Sequence, residues 1–321
     1  MKQNNNFFIK NLKSVVFFGE SKNLKDFIEI NKKLDVQSIV ITTSHQSKLI
    51  CKDLKFTVFN KLDNKLKNFI SSKCNPKETL FISLGARYIF DNENIQNFFH
   101  NNLVNFHFTR LPLDSGSGGF SWQIMREDRI HNQLVHLIDS GIDTGPIISY
   151  QKSLYPKHCQ IPQDYEEYKI KKSKVFYSDF ISKVIEGHEF PLIYQTNYLG
   201  TYNPRLNTLK NGYIDWSIKS VDIFNFINAF DDPYEGASTY INRGDFGKLH
   251  IKKVHLHGGE SHNHPYMSGL VLRHDKDWIV VATNGKYCLL IEEVLLKNRN
   301  ILSEIKIGDR FFTPKAKIDD S

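Results

Sequence analysis

The chain has 321 residues, 40% of them hydrophobic and 24% charged, close to ordinary globular usage and long enough for two domains or one large one with a real core. Its net charge is +7, but residues 231–321 carry 13 basic and 13 acidic side chains. The excess therefore lies before residue 231, and a neutral C-terminal third is a poor platform for a phosphate backbone.

The N-terminal text MKQNNNFFIKNLKSVVFFGE is too polar for a signal peptide, and no stretch approaches the roughly 20 apolar residues of a membrane helix. The four cysteines, Cys51, Cys74, Cys159 and Cys288, form no CxxC pair, which fits a reducing cytoplasm and leaves a zinc knuckle or redox motif unsupported.

In chain order, SVVFFG (14–19) reads as a buried strand stopping at Gly19, and NLKDFIEINKKL (23–34) as a helix with Leu24, Phe27, Ile28 and Ile30 on its apolar side. SIVITTS (38–44) and FTVFN (56–60) are further strands, KLDNKLKNFISSK a helix, TLFISLG (79–85) a strand, NENIQNFFHNN (92–102) a helix and LVNFHF (103–108) a strand. Strands alternating with helices predict right-handed crossovers and a mainly parallel, Rossmann-like open sheet. A short helix at 118–127 follows, then strands at 132–139 and 145–155, a loop from Pro156 to Pro162 and a long helix at 164–187. The run Lys169, Lys171, Lys172, Lys174 on that helix reads as a solvated face. A linker spans 188–212, and a helix 220–230. From about 235, closely spaced short strands (ASTYIN, LHIKKVHL, SGLVLRH, WIVVAT, YCLLIEEVLL, RFFT) predict a small antiparallel barrel or sandwich. The expected domains are 1–190, a connecting stretch 191–234, and 235–321.

The turn after the first strand, FFGESKNL, has one glycine, so the dinucleotide fingerprint is absent, and so is a P-loop. The ligand of such a sheet belongs at the carboxyl ends of its strands. There Asn105 and His107, two apart on one strand, project from the same face, and Asp143 sits in the Gly-bracketed turn SGIDTGPII. An amide, an imidazole and a carboxylate suit acyl transfer: donors for a developing oxyanion and a carboxylate to help pass a proton. No GxSxG elbow supplies a nucleophile, which favours direct attack by a substrate amine. On the residues alone, His107 also reads as a hydrogen-bonded structural histidine and Asp143 as a turn residue.

At these residues the sequence resembles a family. NFHFTRLPLDSGSGG followed by DSGIDTGPII is similar to the formyltransferases that use N10-formyltetrahydrofolate, whose pattern is Asn-x-His, Leu-Pro, a Gly-containing loop and a later Asp-Thr-Gly. The likeness extends through NGYIDW (211–216), FINAFDDPYEGA (226–237) and the β-rich tail. It implies the formyltransferase fold with a smaller C-terminal β-rich, OB-like domain, Asn105, His107 and Asp143 as catalytic residues, and N10-formyltetrahydrofolate as co-substrate without a metal. The segment Arg87, Tyr88, Ile89, Phe90 and the turn Ile138, Asp139, Ser140, Gly141 match the two sides of the family's pterin cleft. The His-rich HLHGGESHNHP (255–265) is expected to be a polar loop.

Members acting on initiator Met-tRNA read Ser-Leu-Leu-Pro with a basic loop behind it. Here Thr109-Arg110-Leu111-Pro112 precedes the neutral to acidic LDSGSGG. FSWQI and YNPRL (202–206) look more like enzymes acting on nucleotide-linked amino sugars, with Arg110, Tyr202 and Arg205 as candidate substrate contacts. The resemblance therefore implies a cytoplasmic N-formyltransferase making an N-formylated sugar for surface polysaccharide, such as lipopolysaccharide. Homodimerisation is open, and Met-tRNA formylation is the alternative.

Overall fold

The computed structural model describes residues 5–43, 54–86, 88–116, 119–196, 200–244 and 246–320. The chain splits into two compact units, one of Met1–Gly116, Ile130–Leu154 and Tyr168–Tyr202, the other of Ser117–Arg129, Tyr155–Glu167 and Asn203–Ser321.

The elements begin with β1 (Asn6–Phe7), β2 (Ser14–Gly19), α1 (Leu24–Lys33), β3 (Gln37–Thr42), β4 (Thr57–Val58), α2 (Asn64–Lys73), β5 (Thr79–Leu84) and β6 (Leu103–His107). There follow β7 (Asp114–Gly116), α3 (Gly119–Met125), β8 (Ile130–Leu137), β9 (Ile147–Leu154), α4 (Pro162–Ile185) and β10 (Phe190–Pro191). The remainder is β11 (Thr201–Asn203), α5 (Thr208–Asn211), α6 (Ser220–Ala229), β12 (Ala237–Ile241), β13 (Leu249–Asn263), β14 (Val271–His274), β15 (Ile279–Ala282), β16 (Gly285–Leu296), β17 (Arg299–Asn300), β18 (Phe311–Phe312) and α7 (Lys315–Asp319).

The first unit is a seven-stranded sheet in the order β4-β3-β2-β5-β6-β8-β9. Pairing is parallel from β4 to β6 and antiparallel for β8 and β9, so the sheet is mixed rather than wholly parallel. Every residue of β2 and β5 is buried, as expected of central strands covered on both faces. Alternation sorts their side chains into two cores. Val15, Phe17, Leu80, Ile82, Val104 and Phe106 pack with Phe176, Tyr177 and Phe180 of α4. Val16, Phe18, Phe81 and Leu103 pack with Leu66 and Ile70 of α2. Phe27 stacks on Tyr177 at 4.0 Å, and the Tyr177 hydroxyl donates to Asn31 Oδ1 at 2.7 Å, so one aromatic wedge locks α1 to α4. β2 ends at Gly19 (φ 100°), where a Cβ would lie 2.6 Å from the Leu84 carbonyl oxygen.

In the second unit, β14-β15-β16-β13-β12-β18 form an antiparallel sheet with β17 on β16. An antiparallel bridge between Leu270 and Arg310 joins the two ends of this path, with Phe311 N–H donating to the Gly269 carbonyl and Val271 N–H to that of Asp309. Trp216 stacks on Phe311 at 5.7 Å and donates to Thr239 Oγ1 at 2.9 Å.

Several sequence expectations need correction. The helix expected at 92–102 is a π-helical turn, Asn94–Phe98, because His100 and Asn101 take left-handed φ values of 50° and 59° and stop it. The strand expected at 56–60 shortens to β4, which pairs with β3. The stretch 188–212 holds β10, β11 and α5, and Asp114–Gly116 of the Gly/Ser loop forms β7. The expected polar loop at 255–265 is the outer half of β13. Its backbone pairs with β16 through Gly258 opposite Tyr287 and, after a shift of register, again at Asn263 opposite Gly285, so pairing rather than side-chain polarity sets its conformation. The basic run on α4 is engaged as well as solvated: Lys174 pairs with Asp26 at 2.7 Å and Lys169 lies over the Phe108 ring at 4.8 Å.

Candidate active site

β6 and β8 place Asn105 opposite His136 and His107 opposite Leu134. With Val104 and Phe106 committed to the core, Asn105 and His107 share the other face, as their spacing implies. The turn between β8 and β9 supplies the carboxylate. Asp139 Oδ1 accepts from the Gly141 N–H at 3.1 Å and the Thr144 hydroxyl at 2.6 Å, and Gln195 Nε2 donates to the carbonyls of Asp143 at 2.8 Å and Gly145 at 2.7 Å. A Cβ at Gly145 would sit 1.9 Å from the Leu137 carbonyl oxygen, so the turn closes this tightly only with glycine there. Asp143 is itself left-handed (φ 57°), which turns its carboxylate onto the strand face.

The result is a four-residue cluster. Asp143 Oδ1 lies 3.7 Å from His107 Nδ1, 3.7 Å from His136 Nε2 and 3.4 Å from Asn105 Nδ2. The surrounding hydrogen bonds set the protons. The Thr109 hydroxyl donates to the Asp114 carbonyl at 2.6 Å, so its oxygen accepts from His107 Nε2–H, also at 2.6 Å. His136 Nδ1–H donates to the Leu137 carbonyl at 2.7 Å. In their neutral forms both imidazoles therefore turn a lone pair toward Asp143. His136 Nε2 accepts from the Asn105 amide at 3.2 Å, which orients the Asn105 NH2 group into the cluster.

Burial pushes His107 down to about 4, against the pull of Asp143 and with a further push from His136. Burial raises the Asp143 carboxyl, but a hydrogen bond from His136 once its Nε2 is protonated, the charge that either imidazole carries in that form and a backbone hydrogen bond at Gly116 outweigh it, and the net shift is downward. At neutral pH the site holds a neutral imidazole with a free lone pair beside a carboxylate, the state a proton acceptor requires. His107, His136 and Asp143 also place one potential ligand atom each within 4.8 Å of one another, a donor set that transition metals accept.

His136 is the member that sequence reasoning missed. It lies in a strand-like apolar run, and only the β6–β8 register puts it opposite Asn105. Of the expected cofactor segments, Arg87 lies outside the described residues. The Tyr88 hydroxyl donates to the Phe59 carbonyl at 2.5 Å, and burial pushes its pKa up to about 12. Phe90 is buried against Phe18 and Phe99, while Ile89 is 91% exposed. In the other segment the Ile138 N–H donates to the Leu103 carbonyl at 3.0 Å, Asp139 braces the turn, and Ser140 and Gly141 are exposed. Arg110 is held by Asp114 at 3.2 Å. Tyr202 is exposed on β11 beside β7, without a hydrogen bond to the cluster among the described residues, and Arg205 is exposed in the second unit.

Fold and site together define a class: an open α/β sheet whose strand ends carry amide, imidazole and carboxylate groups suited to group transfer. Residues 208–306 match the family model "Formyl transferase, C-terminal domain". Methionyl-tRNA formyltransferase of Methylacidiphilum infernorum is 29% identical over 197 residues, 61% of this chain and 59% of that protein. The chain thus spans about three fifths of the length of the curated relatives it matches first. The N-formyltransferase of Helicobacter canadensis, solved with folinic acid and dTDP-3-aminofucose, aligns with a TM-score of 0.63 at 17% identity over 88% of this chain and 99% of that one. WlaRD, a sugar 3N-formyl transferase solved with dTDP and 5-N-formyl-THF, aligns with a TM-score of 0.62 at 18% identity over 88% and 98%. The chain has the formyltransferase fold, and its sequence is similar to formyl transferases over the matched segments.

Proposed function

We propose that the chain is an N-formyltransferase that moves the formyl group of N10-formyltetrahydrofolate to the amine of a nucleotide-linked amino sugar. The observation that carries this reading is the cluster of Asn105, His107 and Asp143, with a neutral imidazole lone pair and a carboxylate at its centre. The unprotonated amine attacks the formyl carbon. His107 Nδ1 takes the proton that the amine sheds, and Asp143, 3.7 Å away, stabilises the resulting imidazolium. Asn105 donates to the developing oxyanion, giving up its longer 3.4 Å contact with Asp143 and keeping that with His136. The carbonyl re-forms as the bond to N10 breaks, and N10 leaves with the proton returned from His107.

In this reading the segments that match the family's pterin cleft, Arg87, Tyr88, Ile89 and Phe90 and Ile138, Asp139, Ser140 and Gly141, bind the pterin largely through backbone groups. Exposed Ile89 (91%) in the first segment and Ile142 (75%), next after the second, offer apolar surface to an aromatic ring. Arg110, Tyr202 and Arg205 serve the acceptor. The catalytic domain lies within residues 1–190, less the stretches 117–129 and 155–167 that belong to the second unit, and 235–321 form an OB-like domain, a reading the bridged ends of its strand path support. The product feeds surface polysaccharide synthesis such as that of lipopolysaccharide, and the enzyme works in the cytoplasm. Among the described residues no helix is long and apolar enough to cross a membrane.

The solved neighbours with bound dTDP or a dTDP-sugar support the sugar acceptor. The names of the sequence relatives favour a second reading, formylation of initiator Met-tRNA. Incubation with N10-formyltetrahydrofolate and a panel of nucleotide-linked 3- or 4-amino sugars, followed by mass spectrometry, decides. A gain of one formyl group on a sugar is expected. Turnover only with charged initiator tRNA overturns the sugar reading, and formate release without an amine makes the chain a hydrolase.

A further inference from the structure

The face of the sheet that carries Asn105, His107 and His136 does not end at the cluster. Leu134, opposite His107 on β8, is itself opposite Tyr150 on β9, and two residues on, Asn132 is opposite Lys152. Between these strands and the segment at Leu111 lies a cavity of about 240 Å³. Its floor is Leu111, Leu134 and Ile147, a small apolar cluster separate from the two main cores. Asn132 lines it, 3% exposed, and the amide nitrogen of that side chain has no hydrogen-bond partner. A buried amide in a strand interior without a partner asks for an explanation, and a ligand is one. Lys152 stands at the rim, 5.5 Å from the centre of the Tyr150 ring, and has no ion pair among the described residues.

The volume falls below the roughly 300–1,000 Å³ of pockets that enclose whole ligands, so the cavity takes one part of a larger molecule. An aliphatic floor, one amide and a cation at the mouth are complementary to a saccharide ring with a phosphate attached. The ring's C–H face covers the leucines, a hydroxyl meets the Asn132 amide, and the phosphate meets Lys152. The ladder puts this seat one residue pair from His107, so an amine on the ring comes within reach of the base. Resting on the sugar reading above, we propose that the β8–β9 cavity seats the acceptor's sugar ring, with Lys152 reading its phosphate.

Two variants test this in the intact chain, with steady-state kinetics on a nucleotide-linked amino sugar that the wild type formylates. Lys152 is exposed, so K152Q keeps the fold. It should raise the acceptor KM about tenfold, as loss of one hydrogen bond to a charged group does, with kcat and the KM for N10-formyltetrahydrofolate within twofold. The same amino sugar without its nucleotide should be used equally by K152Q and wild type. Leu134→Phe, which fills the floor, should raise the acceptor KM or lower kcat while folate binding, read by calorimetry, is kept. Acceptor KM values within twofold of wild type in both variants overturn the seat and leave the sugar reading standing. A wild type that formylates no nucleotide-linked amino sugar overturns both.

Discussion

The polar clusters of the two units are built to opposite ends. In the second unit Lys252 (6% exposed) lies 3.6 Å from Asp231 (2% exposed), contacts Asp232 and donates to the Tyr234 carbonyl at 2.9 Å, while the Lys253 N–H donates to Asp231 at 2.8 Å. Arg243 likewise meets both oxygens of Asp309, at 2.9 and 3.0 Å, and the Lys306 N–H fills in at 2.7 Å. Each charge is met at bonding distance. In the first unit the side chains nearest Asp143, those of Asn105, His107 and His136, stand at 3.4 to 3.7 Å, and the two imidazoles in their neutral forms turn lone pairs toward it. A completed network holds chain segments together, whereas one left open by the width of a proton or a substrate atom is poised to react.

The widest separation between the clusters should come from removing one polar group in each. His107→Asn and Asp143→Asn should lower kcat/KM by roughly 10²–10⁴, the range for lost acid–base groups, with the melting temperature little changed. Lys252→Met should do the reverse. It strands a buried carboxylate and should cost about 3–5 kcal/mol of stability in denaturant titration. Near-normal turnover in either of the first two variants removes the assigned roles, and a Lys252→Met protein as stable as wild type removes the contrast.

His136 gives a smaller and more selective effect. His136→Gln deletes the acceptor that orients the Asn105 amide, so kcat should fall by about 10- to 100-fold, the cost typical of lost orienting partners, with the KM for the folate little changed. Equal losses in folding and in kcat would assign His136 to packing alone.

The two halves of this site were unequally legible. Asn105 and His107 stand out because a polar pair at period two inside an apolar strand has one face to point to. Asp143 stands out because glycines bracket it, and the close approach of Gly145 to Leu137 gives the reason. His136 and Asn132 read as ordinary strand residues, since their partners come from β6 and β9 and the register between strands is not written in either one. The alternating strands and helices were legible from buried runs such as β2 and β5. The His-rich half of β13 was not, because its conformation is imposed by pairing with β16. Nor was the recruitment of residues 117–129 and 155–167 to the second unit, which depends on contacts distant in sequence.

The smallest effect is graded with pH. Burial holds His107 and His131 each at about 4, with Lys169 and Lys172 adding to the lowering at His131. In the unfolded chain both titrate near 6.5, so between about pH 4 and 6.5 the unfolded state binds more protons and stability rises with pH. The contribution is complete above that window and lost as pH falls through it, at up to about 1.4 kcal/mol per pH unit for each group. The downward-shifted Asp143 also loses its contribution in acid, but only below the ordinary carboxylate value. Urea midpoints should therefore climb from pH 5 to pH 7, and His131→Leu should flatten the climb by about one group's share while sparing turnover, since His131 lies outside the cluster. Over the same range His107 stays neutral, so any acid loss of rate should follow the protonation of the acceptor amine. An acid limb near pH 6.5 that is the same for amines of different basicity would mean that His107 is not held neutral, and the open cluster would then be a charged pair like that of Lys252.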